Sequence, residues 1–385
     1  MLLIKRKALA LLLAIIILLF SSVLTVIAVK GEENSWTTLA PMSTPRASLD
    51  AAVVDEKIYA IGGTSNINEE YDPSTNTWTT KAAVPTARST LVTVAVQNKI
   101  YAIGGYAEAD PGIPTAINEV YDPTTDTWET KAEMPTARGQ MCANTVNGQI
   151  YVIGGFVWVR YYNVEPSNKT EAYNPTTDTW ETKAEMPYAA ADLSSVVVGD
   201  KIYVLSSPIQ IYDTKTDSWS LGSFPPTAQS DADAVTILEE KGRELIYIFG
   251  GNGSGTYLNL VQIYDPQDDV WGVGSPMPTP RYGLAVEVVD NEIYALGGTI
   301  VGGAYGILVS TNERYTPLES GSLLPTPTPT STSSPTPKPT IPTSPTPLPS
   351  EEPQQRGQEL ILGVAVTIAV LAVGLGLLIY LIKRK

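Results

Sequence analysis

Histidine is absent from the 385-residue chain, and cysteine occurs once. Without imidazole a single chain cannot build a His-ligated zinc or copper site, and neither a Ser-His-Asp nor a Cys-His arrangement is available. Carboxylates, Tyr, Lys and Arg remain for catalysis, and no paired motif singles any of them out. One cysteine excludes an intramolecular disulfide. Cys142 stands in the apolar run Met141-Cys142-Ala143 and reads as a small buried hydrophobe. Basic residues are also scarce in the middle of the chain. Nine of the 25 Lys and Arg lie outside 31–320, against only three of the 40 Asp and Glu. A body this acidic repels phosphate backbones, so nucleic acid is not an expected partner, while cations and basic surfaces are left open. The same charge keeps an outward-facing protein soluble.

What the centre lacks in apolar runs, the ends supply. Lys5-Arg6-Lys7 precedes an apolar stretch from Ala8 to Val29, the pattern of a secretory signal. Small residues before Val29 suit cleavage after Ala28, yet the stretch is also long enough to span a bilayer. Residues 1–29 are therefore a signal peptide or an N-terminal membrane anchor. Leu360 to Ile382 carries no charge and ends in Lys383-Arg384-Lys385. We expect a transmembrane helix over 358–382 with a cytoplasmic basic tail at 383–385. Both basic clusters belong on the cytoplasmic side, which places everything between them outside the cell membrane. The topology is single-pass, or two-pass if the N-terminal segment stays uncleaved. Residues 319–357 are rich in Pro, Thr and Ser, a composition that favours extended polyproline II and reads as a stalk.

The body repeats itself. Ile58-Tyr59-Ala-Ile-Gly62-Gly63 returns at Ile100-Tyr101, Ile150-Tyr151, Ile246-Tyr247 and Ile293-Tyr294, each followed by a Gly pair; Ile202-Tyr203-Val-Leu-Ser206-Ser207 is a degenerate copy. Six copies spaced by roughly 40 to 50 residues fit the blades of a propeller. A second signature follows the first five copies: Tyr71-Asp72-Pro73 before Trp78, Tyr121-Asp122-Pro123 before Trp128, Tyr173-Asn174-Pro175 before Trp180, Tyr212-Asp213 before Trp219, and Tyr264-Asp265-Pro266 before Trp271. Asp-Pro followed by small polar residues makes a tight turn, so each unit reads as four strands. For the second unit these are Thr90–Val96, Ile100–Gly104, Asn118–Tyr121 and Thr127–Thr130. The sixth copy lacks its Trp, while Ser35-Trp36-Thr37-Thr38 stands spare before the first. The N-terminal strand should complete the last blade and close the ring.

These residues resemble the kelch family: an apolar Tyr strand ending in paired Gly, then Tyr-Asp-Pro and a spaced Trp. The resemblance covers 32–318 and implies an all-β, six-bladed kelch-type β-propeller closed by the N-terminal strand, with a C-terminal transmembrane helix beyond it. It also implies a range of functions, from adhesion and scaffold modules to a copper oxidase and a sugar mutarotase. The oxidase is excluded by the missing histidine. With the anchor, the stalk and the absent disulfides, an extracellular propeller of prokaryotic or archaeal type is the expectation. A binding or adhesion module for protein or glycan ligands, without cofactor, is favoured over a carbohydrate-active enzyme or a structural envelope component.

The loops after the Gly pairs differ most between blades, and variable loops on a rigid scaffold carry function. They share one face with the connections between blades, which hold Arg46, Arg88, Arg138 and Arg281; blades four and five carry Ala189 and Gln229 instead. Two roles are open for the arginines. They hold loops through carbonyl hydrogen bonds, or they form a ligand-binding ring with Trp158, Arg160, Tyr161, Tyr162, Tyr257 and Tyr305 at the channel mouth. Glu108 and Asp110 show no calcium-loop spacing, and no metal site is expected. Asn168-Lys-Thr170 and Asn252-Gly-Ser254 match the glycosylation pattern, making Asn168 and Asn252 candidate acceptors.

Overall fold

Strands alternate with tight turns along the whole body of this computed structural model, and no α-helix occurs among the described residues. The structure describes residues 32–318 except 64, 110, 111, 161, 162, 240, 241, 254, 304 and 305. The expected signal or anchor, stalk and transmembrane helix lie outside the described residues. Among the described residues no helix is long and apolar enough to cross a membrane.

Six four-stranded antiparallel sheets follow in chain order. The second contains Val92–Val96, Lys99–Ile103, Asn118–Asp122 and Thr127–Thr130, from the axis outwards. The innermost strands of the others are Leu49–Val54, Cys142–Val146, Ser195–Val198, Asp233–Leu238 and Ala285–Val289. The sixth sheet takes its outer strand from the N-terminus: Ser35–Thr38 pairs with Asn312–Thr316, Trp36 opposite Tyr315.

Each sheet has apolar side chains on both faces, so it can bury them only between two neighbours. Six hydrophobic clusters result, each shared by adjacent blades. Tyr59 and Ile61 of blade one, for example, pack with Leu91, Ile100 and Tyr121 of blade two. Blade six packs on blade one through Leu296 and Tyr294 against Leu49 and Tyr71, which closes the ring.

The repeated motifs form the staples of this arrangement. Tyr121 stacks on Trp128 at 5.1 Å and donates its hydroxyl proton to Asp126 at 2.6 Å. Asp126 also accepts the Ala82 N–H of the preceding connection, and the Trp128 indole N–H donates to the Ala82 carbonyl at 2.8 Å. Asn34 performs the Asp126 role for blade six, accepting from Tyr315 and from the Ser275 N–H. At the other end of the strands, Gly104 and Gly105 adopt positive φ (62° and 90°). A Cβ on Gly104 would stand 2.6 Å from the Arg138 carbonyl oxygen, and one on Gly105 would stand 2.6 Å from that of Ser89. The Gly pair is thus a packing requirement where two blades approach.

Candidate functional site

The four connection arginines do not ring the channel mouth; they correct the ligand-binding expectation. Arg46, Arg88, Arg138 and Arg281 are fully buried. Arg88 donates to the carbonyls of Gly104 (2.9 Å), Ile117 (3.1 Å) and Ala102 (3.2 Å) and pairs with Glu119 at 2.7 Å. Arg46 pairs likewise with Glu69, Arg138 with Glu171 and Arg281 with Glu313. The Gly pair leaves strand ends whose carbonyls cannot continue a ladder, and a guanidinium with five donors satisfies them inside the protein. Burial pulls each guanidinium below its ordinary value, opposed by the partner carboxylate.

Register also shifts one assignment. Ala190, not Ala189, occupies the arginine position of blade four: its N–H donates to Ser167, as that of Arg138 donates to Thr115, and its carbonyl accepts from Gly155, as that of Arg138 accepts from Gly105. Opposite it stands Gln210, and opposite Gln229 stands Gln262, both buried. The acid is lost wherever the base is lost. This pairing was readable in the sequence, because Glu69, Glu119, Glu171 and Glu313 hold one repeat position and Gln210 and Gln262 the same position in the two exceptional blades.

A channel of about 500 Å³ runs through the ring, walled by the innermost strands of all six blades. Its mouth is a belt of residues in the left-handed region: Ser48, Thr90, Gln140, Asp192, Asp231 and Gly283, with φ between 50° and 61°. Backbone hydrogen bonds run around this belt, from Ser48 to Gly283, Thr90 to Ser48, Gln140 to Thr90, Asp192 to Gln140 and Gly283 to Asp231. Asp50 and Asp233 lie two residues deeper, and Glu287 four residues below the belt; at about 3.3 Å per residue this spreads carboxylates over some 13 Å of depth. Five carboxylates and no Lys or Arg line the channel among the described residues.

These acids were not singled out from the sequence. Asp50 accepts the Ala51 N–H at 2.9 Å and, across the blade gap, the Thr93 N–H at 2.6 Å. Asp233 accepts from Ser194 Oγ (2.9 Å), the Ala234 N–H (2.8 Å) and the Val286 N–H of blade six (2.7 Å). They therefore close gaps between innermost strands. Burial, and then the negative charge of Asp233, pushes Asp50 up to about 8. Burial raises Asp233 to about 6. Asp231 also rises to about 6, through burial and then Asp192. Glu287 is raised well above the carboxylate range by burial, then by Asp50 and Asp233. No group of three acidic or Cys side chains among the described residues is placed to hold a metal ion.

The loops after the Gly pairs fold back onto the connections, forming the expected common face. Tyr106–Ala107 pairs with Arg88–Ser89, and Phe156–Arg160 with Arg138–Gly139. Trp158 sits on a hairpin formed by Phe156–Arg160 and Asn163–Pro166 and is 48% exposed. Tyr257 contacts Tyr282 with ring centroids 4.7 Å apart. Tyr161, Tyr162 and Tyr305 lie outside the described residues, as does the side chain of Arg160. Tyr188, Phe224, Val301 and Ile307 add exposed apolar surface on this face. Of the glycosylation candidates, Asn168 donates to Glu185 and its Thr170 is buried, while Asn252 accepts the Gly255 N–H on the blade-five hairpin.

Two family models match the chain: the KLHDC2/KLHL20/DRC7 Kelch-repeats domain over residues 21–207 and the Kelch motif over residues 242–278. Among curated proteins, Kelch-like protein 35 of Mus musculus is 28% identical over 137 residues, which is 33% of this chain and 22% of the relative. Beta-scruin of Limulus polyphemus is 26% identical over 151 residues, 35% of this chain and 16% of the relative. The chain thus matches only a minor part of these longer proteins. The solved structure of YjhT superimposes with a TM-score of 0.60 at 16% identity, covering 71% of this chain and 96% of the other; this shows the fold.

Proposed function

We propose that the chain, which matches kelch-repeat models over residues 21–207 and 242–278, is a binding module whose partner docks on the loop face around the channel mouth. The observation that carries this is the exposure of large apolar side chains on its loops and connections. Trp158 is 48% exposed, Tyr188 55%, Phe224 66% and Val301 73%. Aromatic anchors of this kind are enriched at binding hot spots, and a lone soluble domain gains nothing from hydrating them. The proposal includes display at the cell membrane, with the propeller outside on the 319–357 stalk and the 358–382 segment as anchor. The ligand is then an extracellular protein or a glycan.

The test is a screen of the full-length chain in detergent against envelope-protein and glycan arrays, repeated with Trp158→Ala and Phe224→Ser. Saturable binding that weakens about tenfold in either variant at unchanged melting temperature is expected. Binding indifferent to both variants, or no binding at all, would sink the assignment. A carbohydrate-active enzyme of the mutarotase kind is the second reading, favoured only by the raised carboxylates Asp50 and Asp233 in a cavity. Turnover of any sugar that binds, abolished by Asp50→Asn, would install it in place of the first.

A further inference from the structure

We propose that the loop face recognises a basic peptide segment, with one Lys or Arg side chain of the partner entering the axial channel while its apolar neighbours rest on the rim. This rests on the binding-module reading and adds the chemistry of the ligand.

Charge complementarity selects the occupant. The channel is lined by Asp50, Asp192, Asp231, Asp233 and Glu287, and no described cation offsets them. The groups able to titrate there are these five acids and Cys142, whose thiol burial pushes up to about 12. The carboxylates stand at three depths and on four blades, and no three described acidic or Cys side chains are placed to chelate a metal ion. An extended cation with several N–H donors fits such a distribution better than a bare ion. A flexible Lys or Arg stem reaches about 6 Å, enough to pass the belt and meet Asp50 and Asp233.

The rim shows where the peptide crosses. Blade four has the shortest loop after its inner hairpin, Ser206-Ser207-Pro208. Blades four and five also lack the buried Arg–Glu staple. A small pocket opens at this seam, lined by Leu205, Ile209, Pro225, Gln229 and Gln262, and it shares Asp192 and Ser194 with the channel wall. Exposed Tyr188 and Phe224 stand on the connections either side of blade four. These two exposed aromatic side chains are the surface on which the apolar neighbours of the basic residue rest.

Fluorescence anisotropy on the full-length chain in detergent tests this, using fluorescein-labelled nonapeptide pools. Their centre is Arg, Lys, Gln or Glu, with Leu, Trp, Gly and Ser randomised around it. The Arg and Lys pools should bind about tenfold more tightly than the Gln pool, and that preference should vanish in Asp231→Asn/Asp233→Asn. Asp231→Asn alone, at the solvent end, guards against loss of folding in the double variant and should reduce the preference several-fold. Binding should strengthen from about pH 5 to about pH 8 as the channel acids ionise. Equal binding of the Gln and Arg pools, or unchanged binding in the Asn variants, overturns the proposal. If all pools bind alike but depend on Trp158, the loop face stands as a docking surface and the basic ligand falls. Binding of spermine without any peptide would replace the peptide by a small polycation.

Discussion

Arg138→Gln separates the structural role of the buried arginines from a ligand-binding one. The guanidinium donates to the carbonyls of Gly154 (2.8 Å), Lys169 (3.0 Å) and Val152 (3.4 Å) and pairs with Glu171 at 2.9 Å. Both partners are almost fully buried. Removing the cation leaves the Glu171 charge unpaired inside the protein, and breaking such a pair costs about 3–5 kcal/mol. For a domain of this size each kcal/mol moves the melting temperature by about 2–4 °C, so a fall of roughly 10 °C is expected. The repeats supply the control. Blade five holds Gln229 against Gln262 at the same position, so Arg138→Gln/Glu171→Gln copies a pair that the fold already uses. The double variant should lose only about 1–2 kcal/mol, far less than the sum of the two single losses. Calorimetry and urea titration read these values. A double variant as unstable as the sum of the singles would refute the compensation argument. A single variant with unchanged melting temperature but abolished ligand binding would refute the staple itself and return Arg138 to the binding surface.

Trp36→Ala removes the indole that packs on Tyr315 and Phe249 and donates to Ser275. Since it opens the ring at its seam, a loss of about 3–5 kcal/mol in urea unfolding is expected; a loss below 1 kcal/mol, about that of a surface site, would mean that the N-terminal strand does not latch the ring. Raised native pKa values mean that the folded state holds protons which the unfolded chain releases. Stability from Asp50, Asp231 and Asp233 is therefore present below the unfolded carboxylate range and lost as pH climbs through about 6 to about 8. The depressed acids Asp72, Asp126, Asp178 and Asp217 act oppositely, but only at low pH. The melting temperature should thus be higher near pH 5 than near pH 8, and Asp50→Asn should flatten the profile; a rising profile over this window contradicts the burial of the channel acids. Cys142, buried and with its thiol raised to about 12, should resist iodoacetamide until urea unfolds the chain, and rapid native labelling would place it elsewhere.

The sequence announces the blades because their staples repeat. Gly104, Tyr121 and Trp128 recur at fixed positions within their motifs from blade to blade, so several weak signals add to a strong one. Trp36 was visible as the missing sixth copy, whereas the role of Asn34 was not. The channel acids were hidden for the opposite reason. Asp50, Asp233 and Glu287 occur on three different blades at two different strand positions, within apolar strands such as Leu49-Asp50-Ala51-Ala52-Val53. Only radial stacking brings them to one axis, and no linear spacing encodes that. For the arginines both roles stayed open, because a connection residue of the right type on the right face can still point inwards, and the structure shows the carbonyl-bonding role. What distinguished the two readings was the glutamate two strands away in the same blade, which is replaced by glutamine in the same two blades that lack the arginine.

Departures from sixfold repetition collect in blades four and five: Ser206-Ser207 for Gly-Gly, Ala190 and Gln229 for Arg, and Asp192 beside Asp231 at the belt. A ring stabilised by repeated staples loses stability at each departure, and such losses are expected where function opposes packing. Installing the regular pair, Ala190→Arg with Gln210→Glu, tests whether this seam is a binding feature or a tolerated defect. Gln210 is buried and bonded to the Tyr188 backbone, so the new pair would occupy space beside the Ile209 and Leu205 pocket. A functional seam predicts a melting temperature raised by a few degrees, about 1–2 kcal/mol, together with weaker peptide binding. A variant that is more stable and binds as before would show that the seam is a defect only, and one that is less stable would show that blade four has repacked around its smaller residues.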